Sequence, residues 1–151
     1  MNKGRRIGAL VAATVAAIGM TMTVGTAPAA AAAKKPKGPQ PVSQLLHRVD
    51  DNENTWVRVW FRTDKKACDF KLRVWDANRV EIYHPMGTFT SLNDNATLTK
   101  GETDFASFRV DVADYKRDTW QLLYATMSWK RCGTGKLQTK STGFLLPIDA
   151  D

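Results

Sequence analysis

Alternation with a period of two dominates the chain from residue 42 onward, and it constrains the fold more than any other feature. In "TWVRVWFRT" (55–63), Val57, Val59 and Phe61 fall on one side of an extended chain, with Trp56, Arg58, Trp60 and Arg62 on the other. In "CDFKLRVWD" (68–76), Cys68, Phe70, Leu72 and Val74 oppose Asp69, Lys71, Arg73 and Trp75. "FASFRVDV" (105–112) aligns Ala106, Phe108, Val110 and Val112. Polar or glycine-bearing punctuation separates these runs: "DKKA", "DANR", "HPMG", "NDN", "KGET" and "CGTGK". Between them "VEIY", "TFTSL", "ATLTK" and "LQTKSTGFLLPI" read as further strands. "WQLLYATMSWKRC" is apolar on both sides, Trp120, Leu122 and Tyr124 against Leu123, Ala125, Met127 and Trp129, which suits a strand buried on both faces, although the pattern alone also fits a helix. In "PVSQLLHRV", Val42, Leu45, Leu46 and Val49 fit one helical turn, yet a leading edge strand fits the architecture better. Seven to eight short strands at this spacing predict an all-β, antiparallel sandwich or barrel.

The chain preceding this domain has a different character. Lys3, Arg5 and Arg6 are followed by a run from Ile7 to Ala33 without a charged residue, ending in "APAAAAAKK". A basic start, an apolar centre and small residues at the end make residues 1–33 a secretory signal peptide, cleaved near Ala33. Its Ala, Gly and Thr content favours cleavage over a retained membrane anchor, and "GRRIGAL" lacks the neighbours that accompany a twin-arginine pair, so general secretion is expected. Residues 34–41, "KKPKGPQP", are expected to be a flexible basic linker. The domain then runs over 42–149, about 110 residues, a common single-domain size.

The whole chain holds 22 Lys/Arg against 15 Asp/Glu, a net +7. From Val42 onward the balance is 16 basic to 15 acidic residues. The excess charge lies in the leader and the linker, which argues against nucleic acid as a partner of the folded domain. Cys68 and Cys132 are the two cysteines, and in an exported chain an even pair is expected to form one disulfide.

"FRVDVADYKRDTWQLLYATMSW" (108–129) resembles the later strands of bacterial immunoglobulin-like modules, in which a strand and a short turn lead into a tryptophan-bearing strand through the core. The likeness spans 42–148 at the level of strand order and implies an Ig-like or fibronectin-like sandwich with Cys68–Cys132 as a cross-sheet bridge. Antibody-type domains carry Tyr two residues before the second Cys, where this chain has Lys130, and Trp75 follows the first Cys too early. No functional residue is carried over.

No catalytic constellation emerges. His47 and His84 have no sequence partner for metal or nucleophile chemistry. Asp50, Asn52 and Asn54 begin a D-x-N-x-N calcium pattern, but Thr55 replaces the required Gly and Phe61 the closing Glu, leaving at most a weak inter-strand cation site beside 93–95. "GTGK" (133–136) lacks the spacing of a phosphate loop, and the carboxylates form no evident pair. No cofactor is expected. Burying the Trp56/Trp60 side would bury Arg58 and Arg62 as well, so Val57, Val59 and Phe61 should be core. If the next strand pairs as a hairpin, Lys71, Arg73 and Trp75 join Trp56, Arg58, Trp60 and Arg62 on one outer face. That face is either a covered sheet, with guanidinium groups stacked on rings, or a binding surface. The expectation is a secreted, non-enzymatic binding protein that contacts a polysaccharide, a cell-wall polymer or an extracellular protein. A small exported hydrolase or accessory subunit and a secreted protease inhibitor are the alternatives.

Overall fold

The computed structural model describes residues 37–150; the expected signal peptide and Lys34–Pro36 of the expected linker lie outside them. Eight strands form, β1 (Gln40–Pro41), β2 (Val49–Asp50), β3 (Asn54–Arg62), β4 (Ala67–Val74), β5 (Val80–Tyr83), β6 (Thr103–Val112), β7 (Thr119–Arg131) and β8 (Leu137–Asp149). No helix occurs among the described residues. The strands make two four-stranded sheets, β1-β3-β6-β5 (sheet A) and β2-β8-β7-β4 (sheet B).

The alternation read from the sequence sets the interior. Val57, Val59 and Phe61 of β3 and Ala106, Phe108, Val110 and Val112 of β6 are buried, as are Phe70, Leu72 and Val74 of β4. Leu123, Ala125 and Met127 of β7 and Phe144, Leu146 and Ile148 of β8 complete one continuous core. Phe61 of sheet A meets Phe70 of sheet B with ring centroids 4.9 Å apart. Burial of such side chains, about 1.5–3 kcal/mol each, is the main force holding the sheets together.

Several expectations require correction. Gln40 and Pro41, expected in the linker, pair with Arg62 and Phe61 on β3. The chain then changes edge. Leu45 bridges Leu145 and β2 lies parallel to β8, Val49 opposite Ile148. A segment leaving sheet A for the far edge of sheet B runs in the same direction as β8, so sheet B is mixed rather than purely antiparallel. β3 and β4 are not a hairpin. β3 pairs with β6 and β4 with β7, so the short turn after Arg62 carries the chain from one sheet to the other.

The disulfide forms, with Cα atoms 5.3 Å apart, but it does not cross between the sheets. Cys68 is on β4 and Cys132 directly follows β7, the adjacent strand of sheet B. A bulge explains the change. The β4–β7 register shifts between Cys68 and Lys71, and Asp69 takes φ 51°. One extra residue there lets Ala67 and Phe70 both reach the core and turns Cys68 off the face it shares with Phe70 in a regular strand.

The expected strands "TFTSL" and "ATLTK" are reduced to single bridges. Thr90 pairs with Leu72 of β4, Leu92 with Ala106 of β6, and Leu98 with Ala67 of β4. This segment therefore links the open edges of both sheets, which would otherwise expose unpaired backbone groups. His84, just past β5, makes a second link: the Val74 N–H of β4 donates to its Nε2 at 3.0 Å. Only the neutral ring accepts this bond, and burial followed by the Arg73 charge lowers the His84 pKa below 6.5. A folded-state pKa below the unfolded one gives stability that is complete above pH 6.5 and lost as pH falls through the folded value. Thermal unfolding is expected to drop between pH 7.5 and pH 5 more steeply in the wild type than in His84→Gln, whose side-chain oxygen accepts without titrating.

Candidate functional site

The two outer faces differ in chemistry. On sheet A, Trp56, Arg58, Trp60 and Arg62 of β3 lie opposite Arg109, Ser107, Phe105 and Thr103 of β6. Trp56 and Trp60 are 57% and 47% exposed. Trp60 leans on Phe105 (4.9 Å between centroids, 54°), and the Arg58 guanidinium sits over the same Phe105 ring at 5.0 Å. Arg109 covers Tyr83 at 4.7 Å, with its Nε enclosed and without a hydrogen-bond partner. The Tyr83 hydroxyl donates to Glu81 at 2.7 Å, and that carboxylate raises the phenol pKa. The arginines thus stack on Phe105 and Tyr83, and the two tryptophans of β3 meet solvent.

Arg73 and Trp75, expected on this face, belong to sheet B. Strand pairing places Arg73 beside Thr126 of β7, and the Trp75 N–H donates to the Tyr124 carbonyl at 2.9 Å. The Arg73 guanidinium lies 3.6 Å above the Trp75 ring. Here an arginine does cover a tryptophan, as a close cation–π pair.

The larger apolar surface is the one the sequence assigned to the interior. Trp120, Leu122 and Tyr124 occupy the outward positions of β7 and are 58%, 42% and 65% exposed. Across the ladder stand Pro147, Leu145 and Gly143 of β8. Leu122 lies over Gly143, where an added Cβ would come within 3.1 Å of its methyl group. With Trp75, Leu145 and Leu45, also exposed, these side chains form a patch across sheet B in which Arg73 is the one charge among the residues named. Further along the same face come Thr126, Ser128, Thr139 and Ser141. A groove of about 470 Å³ follows, lined in part by Lys71, Ser128 and Leu137 of the sheet and Met86 and Phe89 of the 84–98 segment. Monomeric proteins seldom present a contiguous apolar patch of this kind without a use for it.

The other sequence candidates serve the fold. Asp50, Asn52 and Asn54 are exposed, with Asn52 at φ 56°. The buried carboxylate of the turn is Asp51, which accepts from the Tyr115 N–H at 2.7 Å and from the Asn52 amide at 3.4 Å. Asp94 and Asn95, the partners suggested for a cation, lie in a turn held by Asp104, whose carboxylate accepts from the Asp94 N–H at 3.3 Å. Among the described residues no three His, Cys, Asp or Glu side chains converge as a metal group. The ion pairs among the described residues are Arg48–Asp149 and Lys130–Asp69. Arg58, Arg62 and Arg73 therefore have no carboxylate partner there. The bond from Lys130 holds the Asp69 carboxyl below the usual carboxylate range.

No family model and no curated protein matches the chain. Among solved structures it is similar to a protein that catalyses macrocyclization in alchivemycin A biosynthesis, with 11% identity and TM-score 0.40 over 72% of this chain and 87% of that one. It is similar to the secreted serine protease VesC from Vibrio cholerae, with 11% identity and TM-score 0.41 over 75% of this chain and 23% of the protease. It is also similar to the major subunit of aggregative adherence fimbriae type I from Escherichia coli, with 13% identity and TM-score 0.37 over 75% of this chain and 94% of that subunit.

Proposed function

We propose that this chain is an exported β-sandwich of immunoglobulin-like topology that acts by binding, and that it holds insoluble polysaccharide on the outer face of sheet B. The order β1-β3-β6-β5 corresponds to the strand order A-B-E-D of that fold, and β8-β7-β4 to G-F-C. The disulfide agrees with an oxidising compartment. Among the described residues no helix is long and apolar enough to cross a membrane.

The observation that carries the reading is the exposed row Trp75, Tyr124, Leu122 and Trp120 on a sheet face. Aromatic rings present an electron-rich face to the polarised C–H groups on the flat side of a pyranose. Trp120 and Tyr124 stand four residues apart on β7, about 13 Å at strand rise, so a chain of sugars can contact both. The hydroxyls of Thr126, Ser128, Thr139 and Ser141 supply hydrogen bonds further along the face. Rings are engaged on both faces, Trp60 by Phe105 and Tyr83 by Arg109 on sheet A and Trp75 by Arg73 on sheet B, but the sheet B face adds the exposed Trp120, Leu122 and Tyr124 in one row.

Sedimentation with chitin, cellulose and cell-wall fractions tests this. The wild type is expected to be depleted from solution by at least one of them. Trp120→Ala/Tyr124→Ala is expected to bind roughly 100-fold more weakly, two central aromatic anchors being worth about 1–2 kcal/mol each. Trp56→Ala/Trp60→Ala should retain affinity within about threefold. Absence of depletion by every fraction contradicts the proposal. So does concentration-dependent dimerisation abolished by Trp120→Ala/Tyr124→Ala, which would give this face to a second copy of the chain.

A further inference from the structure

A second site is built at one end of the molecule, where three distant parts of the chain meet. A cleft of about 340 Å³ is lined by Lys37 and Gly38, by Lys65 and Lys66 of the turn between β3 and β4, and by Trp129, Arg131, Cys132 and Gln138 around the β7–β8 hairpin. Four cations line it and no carboxylate does. None of the four belongs to an ion pair among the described residues. This concentration stands out in a domain whose charges otherwise nearly balance.

The walls are fixed. The nearly buried Thr63 hydroxyl donates to the Lys65 carbonyl at 2.5 Å and accepts from the Lys65 N–H at 3.3 Å, shaping the turn that carries Lys65 and Lys66. The carboxylate of that turn, Asp64, is not among the lining side chains, but it sits at the edge of the cleft, where it accepts from the Gly38 N–H at 2.7 Å. Gly38 packs on the Trp129 ring at φ 84°, and a Cβ there would come within 2.5 Å of a ring carbon. That contact permits glycine alone, so the segment bearing Lys37 is held against the floor of the cleft. The disulfide anchors the hairpin side at Cys132.

Four lining cations against the single carboxylate of Asp64 at the edge leave an excess of positive charge that favours an anion, and lysine ammonium groups suit phosphate as point charges, with Arg131 able to bind two oxygens. The volume falls in the range of small-ligand sites. We infer that this cleft binds a phosphate group carried on a sugar or polyol, either free or as part of a phosphodiester-linked polymer.

Calorimetric titration of the disulfide-intact protein at low ionic strength tests the site, with glucose 6-phosphate, poly(glycerol phosphate) and glucose as probes. At least one phosphorylated probe is expected to bind saturably and glucose to show no binding. The tighter of the two assigns the source. Lys65→Ala/Lys66→Ala/Arg131→Ala should weaken binding by about tenfold or more, since contacts from charged donors are the strong ones. Lys100→Ala/Lys116→Ala/Arg117→Ala removes the same charge elsewhere and should leave binding unchanged. All six replaced side chains are exposed, and thermal melting confirms that both variants fold. Absence of saturable binding up to about 10 mM, or equal weakening in the two variants, overturns the inference.

Discussion

Reducing the Cys68–Cys132 bond is expected to lower the free energy of unfolding by about 4 kcal/mol without changing the native far-ultraviolet spectrum. The bridge closes a sequence separation of 64 residues, for which the chain-entropy relation gives about 4 kcal/mol. Its position determines the second half of the expectation. The bond joins neighbouring strands of sheet B that are already paired from Ala67–Arg131 to Val74–Ala125, so it adds no link across the core. Its removal should act on the unfolded chain and leave the folded ladder in place. Domains of this size are stable by only about 5–15 kcal/mol, so the loss is a large fraction of the whole. In urea the midpoint should fall by roughly 2 M, taking a slope of about 2 kcal/mol per M. A shift below about 0.5 M would contradict a role in stability.

Phe108→Ala is expected to cost about 3–5 kcal/mol, the usual range for deleting a buried aromatic ring. Phe108 is 0% exposed, stands opposite Val57 on central strand β6, and has the His84 ring 6.4 Å away. The cavity would open between sheet A and the contact by which His84 holds Val74 of sheet B. Trp56→Ala, on the opposite face of the neighbouring strand, should change stability by less than about 0.5 kcal/mol. Urea unfolding of the two variants measures the difference between the inner and outer faces of sheet A. Comparable costs would mean that the faces are assigned wrongly.

The interior was legible because alternation is a local property. Val57, Val59 and Phe61 could be placed in the core from eight residues, on the strength of what burying Arg58 would cost. Sheet membership is not local. The "DKKA" turn reads the same whether β4 returns beside β3 or crosses to the other sheet, and adjacent pairing is the commoner outcome. That choice misplaced Arg73 and Trp75. The bulge at Asp69 was hidden for a similar reason, since a regular strand puts Cys68 and Phe70 on one face. A strand apolar on both sides fits a doubly covered sheet, which puts Trp120, Leu122 and Tyr124 in the interior. Periodicity reports two apolar faces and is silent on whether anything covers the second. The sequence shows Lys37 in a basic linker and Lys65 and Lys66 in a polar turn but not their convergence with Arg131, which comes about only through β1, β3 and β7.

Oxidative footprinting of the tryptophans, read by mass spectrometry with and without bound polysaccharide, tests the use of the sheet B face most directly. Trp120 and Trp75 are expected to become protected in the complex, while Trp56 and Trp60 stay as reactive as in the free protein and the buried Trp129 stays unreactive throughout. Protection of Trp56 and Trp60 with Trp120 still reactive would contradict it and place binding on sheet A.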